Sequence, residues 1–140
     1  MIFVDTGFFV ALAKPTDNLH RRAILWANSL TEPCLVTEYV LWEIVNALSA
    51  PSNRAKAHLV LSHIEASPIS YEMVAASREL LSAGVRLHRE RPDKAWSLTD
   101  CISFHIMRER EIFSALAFDQ HFEQAGFGAL LRRDPPVPPN

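Results

Sequence analysis

The sequence predicts an α/β domain of the doubly wound kind, with a parallel sheet and helices on both of its faces. Short apolar runs, each giving way at once to polar or helical sequence, recur at residues 2–4 (IFV), 34–37 (CLVT) and 115–118 (ALAF). Between them lie segments whose apolar residues repeat at three- and four-residue spacing, and strands alternating with such helices imply βαβ units and parallel pairing. The chain of 140 residues, 49% hydrophobic and 21% charged, has the size and composition of one domain with a true core.

Taken in order, IFV ends at Asp5-Thr6-Gly7, which suits a buried strand running into a turn. Helical spacing follows at 18–30, then the CLVT strand, then helices at 39–50 and 52–66. In the first of that pair Val40, Leu41, Ile44, Val45 and Leu48 form one stripe, and Glu43 stands off it on a flank shared with Asn46 and Ala47. A weaker strand at 68–70 is expected to lead into a helix at 72–83, and residues 84–96, GVRLHRERPDKAW, form the longest aperiodic stretch. A helix at 97–109, the ALAF strand and a short strand at 129–131 after a glycine-flanked turn complete the set. The organisation expected is a domain over residues 1–131 followed by a proline-rich, mobile tail over 132–140, which carries four prolines.

A formal charge of −2, from 14 basic and 16 acidic side chains, excludes a polybasic protein that binds by bulk counterion release. Cys34 and Cys101 are far apart and form no C-x-x-C, so reduced, buried thiols are expected rather than a disulfide framework or a thiolate zinc site. The apolar N-terminus lacks a charged leader region and is broken by Asp5, and no apolar run approaches the roughly 20 residues of a membrane span. A cytoplasmic protein without membrane partners is the expectation.

Open parallel sheets hold ligands outside the carboxyl ends of their strands, where strand order reverses, so acids at strand ends matter most. Asp5 closes the first strand, Asp119 closes ALAF, and Asp100 opens the helix that runs toward ALAF; Glu43 is a fourth candidate. Each also has a purely structural explanation. Asp5 and Asp119 occupy positions that suit helix N-caps, Ser97 and Asp100 fit the S-x-x-D capping pattern, and Glu43 suits a solvated helix face. Carboxylates gathered in one crevice repel one another and take up protons unless a cation is present. A hard divalent ion such as Mg²⁺ resolves that conflict, since it prefers oxygen ligands, keeps several waters and takes one or two carboxylates directly.

The segments IFVDTGFFVALA, TEYVLWEIVNAL, DKAWSLTDCISFHIM and ALAFDQHFEQAGF, in this order and spacing, resemble the PIN-domain ribonucleases, in particular their VapC-like toxin branch. The resemblance spans residues 1 to about 131. It implies a three-layer sandwich around a parallel sheet of about five strands. It also implies Mg²⁺ or Mn²⁺ dependence and hydrolysis of single-stranded RNA by a metal-activated water. The family's acidic set falls on Asp5, Glu43, Asp100 and Asp119, as catalytic and metal-holding residues, with Thr6 and Ser97 as auxiliary hydroxyls. One departure is Ala117, where the family often carries Thr or Ser. The implied partners are an RNA substrate and a small antitoxin docked near the amphipathic helices between Tyr39 and Ala66. A homodimer or a toxin–antitoxin hetero-oligomer is expected.

Arg86, Arg89, Arg91 and Lys94 stand just before the Asp100 helix and are candidates for RNA phosphate contacts, with a solvated loop as the alternative. Asp93, beside them, is expected in a loop salt bridge. The six histidines show no metal-ligand spacing; His105 is expected in the core, and His121 packing the FDQHF turn. Asp5-Thr6-Gly7 matches the D-T-G of aspartic proteases, which the alternation of elements contradicts, and Gly7 stands where a haloacid-dehalogenase phosphatase would need a second acid. The alternative to a nuclease is a catalytically silent protein of the same fold that binds RNA or a protein partner.

Overall fold

The computed structural model describes residues 1–139 of the chain. Its elements are β1 (Ile2–Val4), α1 (Thr6–Ala13), α2 (His20–Ser29), β2 (Cys34–Thr37), α3 (Glu38–Ala47), α4 (Arg54–Glu65), β3 (Tyr71–Val74), α5 (Arg78–Glu90), α6 (Leu98–Glu109), β4 (Ser114–Leu116), α7 (Gln120–Gln124) and β5 (Gly128–Ala129), followed by a 3₁₀ turn at Leu130–Arg132. The five strands form one sheet in the order β3-β2-β1-β4-β5, and every pairing is parallel.

The central strands are apolar because helices cover both sides: β1 and β2 are buried along their whole length. The chain steps outward from β1 through β2 to β3, then returns across the sheet to β4 and β5. Right-handed crossovers place α1–α4 on one face and α5–α7 on the other. The three-layer arrangement with five parallel strands is the one expected from the sequence.

Three elements depart most from their expected positions, while the strand expected at 115–118 lies at Ser114–Leu116 and that expected at 129–131 lies at Gly128–Ala129, with Leu130–Arg132 in a 3₁₀ turn. The strand expected at 68–70 lies at Tyr71–Val74, paired with β2 from Cys34↔Tyr71 to Thr37↔Val74. Residues 67–70 form a turn instead, with Ser67 O accepting from Ser70 N at 3.0 Å and Tyr71 N at 2.9 Å. As an edge strand β3 is only half buried, so its sequence YEMV carries no apolar run.

The helix expected at 72–83 begins after Ser77, whose hydroxyl accepts from Leu80 N at 3.1 Å, and it continues to Glu90 through much of the stretch read as aperiodic. Gly84 is the reason it packs: a Cβ there would lie 2.3 Å from Ile102 Cγ1, so glycine lets α5 approach α6 closely. Finally, residues 6–13 are helical rather than a simple turn. Phe8, Phe9 and Ala11 are buried, and a helix apolar on nearly every side shows no periodicity.

The chain after β5 begins attached to the domain. Trp26 Nε1 donates to Arg133 O at 2.8 Å, and Asp134 pairs with Arg22 at 2.9 Å and Arg21 at 3.3 Å. Cys34 and Cys101 are free and buried. No helix among the described residues is long and apolar enough to cross a membrane.

Candidate active site

The chain reverses its direction of travel across the sheet between β1 and β4, and the crevice at their carboxyl ends gathers the acids. Asp5 follows β1 directly. It holds the N-cap position of α1 in extended backbone (φ −87, ψ 160), yet its side chain makes no capping hydrogen bond. Capping therefore does not account for it.

Burial, then the charge of Asp100, lift the Asp5 carboxyl from 3.8 to about 7, with smaller upward contributions from Glu43 and Asp119 and an opposing one from the Thr6 backbone N–H. The charges of all three other acids reach Asp5.

Glu43 projects from α3 toward the same crevice, where the Thr6 hydroxyl donates to its Oε1 at 2.7 Å. It is half buried and anchored, not a residue of a solvated face. Its helix is fixed by Thr37, which is fully buried and accepts from Val40 N at 3.2 Å.

Asp100 does take part in a capping box. Ser97 Oγ accepts from Asp100 N at 3.0 Å, and Asp100 Oδ2 accepts from Ser97 N at 3.0 Å. The Ser97 hydroxyl is thereby committed to α6. Beneath it, Trp96 packs edge-on against Phe104 with ring centroids 5.0 Å apart, Phe104 packs on Phe122 at 5.0 Å, and Trp96 Nε1 donates to Gln124 Oε1 at 3.1 Å. These contacts fix the start of α6 against α7. Asp119 caps α7, with Oδ1 accepting from His121 N at 3.0 Å, and its side chain is 48% exposed.

His121, expected only to pack its turn, faces the site. Its Nδ1 lies 3.0 Å from Asp100 Oδ2 and 3.3 Å from Asp119 Oδ1. The signal available in the sequence was a histidine two residues after an acid at a strand end. Arg132 was also missed: it lies over the Phe118 ring at 4.8 Å and donates to Phe118 O at 2.8 Å, beside Asp119.

The basic candidates divide. Arg91 makes two 3.0 Å bonds to Asp93, the expected loop salt bridge, and stacks over Trp96 at 5.0 Å; Lys94 is 4.0 Å from Asp93. Arg86 and Arg89 share an exposed hollow on α5 with Leu81 and Val85. Ala117 is wholly buried, and its carbonyl accepts from Leu131 N at 3.1 Å.

The donor set fits a hard divalent cation. Asp100, Asp119 and Glu43 each bond the scaffold through one carboxylate oxygen, and the second receives no hydrogen bond from the described residues. Among the described residues no group of three or more His, Cys, Asp or Glu side chains stands arranged to hold a metal ion; the fit lies in the donor type, hard carboxylate oxygens, which Mg²⁺ prefers.

This fold, with its acids at the β1/β4 switch, defines a PIN domain. The family model of that description matches residues 2–128, and the chain belongs to the PIN-domain family. Among its relatives is the 23S rRNA-specific endonuclease VapC20 of Mycobacterium tuberculosis, 32% identical over 129 residues that cover 91% of this chain and 95% of the relative. The crystal structure of M. tuberculosis VapC20, described as a sarcin-ricin loop cleaving toxin, superposes with a TM-score of 0.85 at 26% identity, covering 92% of this chain and 98% of that one. FitAcB from Neisseria gonorrhoeae shares the fold, with a TM-score of 0.66 at 16% identity over 91% and 95% of the two chains.

Proposed function

We propose that this protein is a divalent-metal-dependent endoribonuclease and the toxin of a toxin–antitoxin pair. The observation that carries the proposal is the cluster itself. What supports it is that Thr6 beside Asp5 bonds Glu43, that His121 lies between Asp100 and Asp119, and that burial and the charges of the other three acids raise the Asp5 carboxyl to about 7.

When bound, Mg²⁺ or Mn²⁺ would orient and acidify an attacking water and offset the charge that develops on the phosphate. Asp5, Glu43, Asp100 and Asp119 would hold that cation. Thr6 fixes Glu43, Ser97 fixes the start of α6, and Arg91, Lys94, Arg86 and Arg89 supply positive charge on the approach to Asp100 for the RNA backbone. VapC20 is described as cutting 23S rRNA, so the sarcin-ricin loop is the first substrate to assay. A protein that acts on such a substrate would work in the cytoplasm.

An antitoxin has apolar surface to cover. Phe9, Leu12, Leu59 and Val60 line a hollow of about 340 Å³ between α1 and α4, and Leu59 is 71% exposed. Trp42, 72% exposed on α3, lies beside a second hollow with Tyr39, Val45 and Leu61 and suits self-association.

The test is incubation of purified protein with a sarcin-ricin stem-loop and with unstructured RNA, in Mg²⁺ or Mn²⁺ and in EDTA. Metal-dependent internal cuts are expected. An inert protein with either ion returns the catalytically silent alternative, and cutting that persists in EDTA removes the metal.

A further inference from the structure

His121 stands between two of the acids, and nothing in the proposed hydrolysis has yet used it. Its Nδ1 is 3.0 Å from Asp100 Oδ2 and 3.3 Å from Asp119 Oδ1, while its own backbone N–H donates to that same Asp119 oxygen at 3.0 Å. The ring's hydrogen bond is to Asp100 Oδ2, with Asp119 Oδ1 a near neighbour bonded by the backbone N–H; a carboxylate oxygen accepts, so Nδ1 carries the hydrogen and donates to Asp100. The ring is only 19% exposed and Asp100 only 14%, so the contact is sheltered from water. It also joins segments 21 residues apart, the first turn of α6 and the start of α7.

We propose that His121 is a positioning residue whose Nδ1–H clamps Asp100 against Asp119, holding the Oδ1 atom of Asp100 and the Oδ2 atom of Asp119 free for a divalent cation. Ser97 alone leaves Asp100 held at one side by its own helix. The imidazole adds a restraint from α7 and sets the distance between two acids that would otherwise drift apart by repulsion. Groups that orient metal-holding side chains in this way typically contribute ten- to a hundred-fold in metal affinity.

The proposal rests on the metal-site reading above, and the two fail separately. Mn²⁺ affinity is measured by calorimetry on the wild type and on His121→Asn, His121→Gln and His121→Ala, each with its melting temperature in metal-free buffer. An asparagine amide nitrogen occupies roughly the place of Nδ1, whereas a glutamine amide occupies that of Nε2. The expected result is Mn²⁺ binding within a few-fold of wild type for His121→Asn and weakened about ten- to a hundred-fold for the Gln and Ala variants. Melting temperatures are expected to differ little between Asn and Gln. Equal affinity across all four proteins overturns the clamp while leaving the metal site standing, and an Asn variant as weak as Ala overturns the donor assigned to Nδ1. A wild type that binds no Mn²⁺ overturns the metal site, and the clamp with it.

Discussion

Replacing Asp5 with asparagine should make the metal-free protein more stable at alkaline pH while removing one of the acids proposed to hold a metal. Burial and the charges of Asp100, Glu43 and Asp119 raise its carboxyl from 3.8 to about 7. Between those values the native protein keeps a proton that the unfolded chain has released. Stability from this group is therefore fully present below about pH 4 and declines as pH rises toward 7. A shift of about three pKa units at about 1.4 kcal/mol each corresponds to about 4 kcal/mol lost by pH 8.

Asparagine keeps the shape and cannot ionise. At pH 8 without metal, Asp5→Asn should melt above wild type by about 5–15 °C, given the few degrees per kcal/mol typical of a domain this size; at pH 4 the two should nearly coincide. Mg²⁺ should reverse the order of gains, raising the melting temperature of wild type at pH 8 much more than that of the variant. Calorimetric or fluorescence melts from pH 4 to 8 read all of this. A variant that melts no higher than wild type at pH 8, or a difference that does not narrow toward pH 4, would refute the account of a mutually repelling buried cluster.

Two further substitutions probe the scaffold. Thr6→Val removes the 2.7 Å donor to Glu43; RNA cleavage is expected to fall about ten-fold or more with stability changed by about 1 kcal/mol, and Thr6→Ser should restore activity. Gly84→Ala would gain about 1 kcal/mol of helix propensity, but Gly84 is buried and its Cβ would lie 2.3 Å from Ile102 Cγ1. Overpacking of about 1–3 kcal/mol is expected to win, and a denaturant midpoint at or above that of wild type would contradict it.

The sheet centre was legible in the sequence because its strands are buried on both faces: IFV and CLVT are apolar wherever a side chain meets a helix layer. Edge strand β3 was displaced by a few residues because YEMV is half exposed and looks helical without its partner. Helix α5 was curtailed because Gly84, a breaker by propensity, is there to admit Ile102. Ser97 and Asp100 announced their capping box through local spacing alone. The contacts of Thr6 with Glu43 and of His121 with Asp100 join residues 37 and 21 positions apart, and no local pattern encodes them. The resemblance to PIN domains supplied the four acids together; the structure adds that Asp5 does not cap its helix and that Glu43 is anchored.

Asp100 is where the structural and chemical roles meet, since one oxygen completes the capping box and receives His121. Asp100→Asn retains a side-chain acceptor for both contacts and removes the charge. The most direct test of the account is the rate at which this variant, alongside wild type, cuts RNA in Mg²⁺, with circular dichroism confirming the fold. A folded protein whose cleavage falls by at least about a hundred-fold, several kcal/mol of lost transition-state stabilisation, is the predicted result. A variant that cuts as fast as wild type, or that unfolds while metal binding in the remaining folded fraction is unchanged, would show that Asp100 serves the helix and not the chemistry.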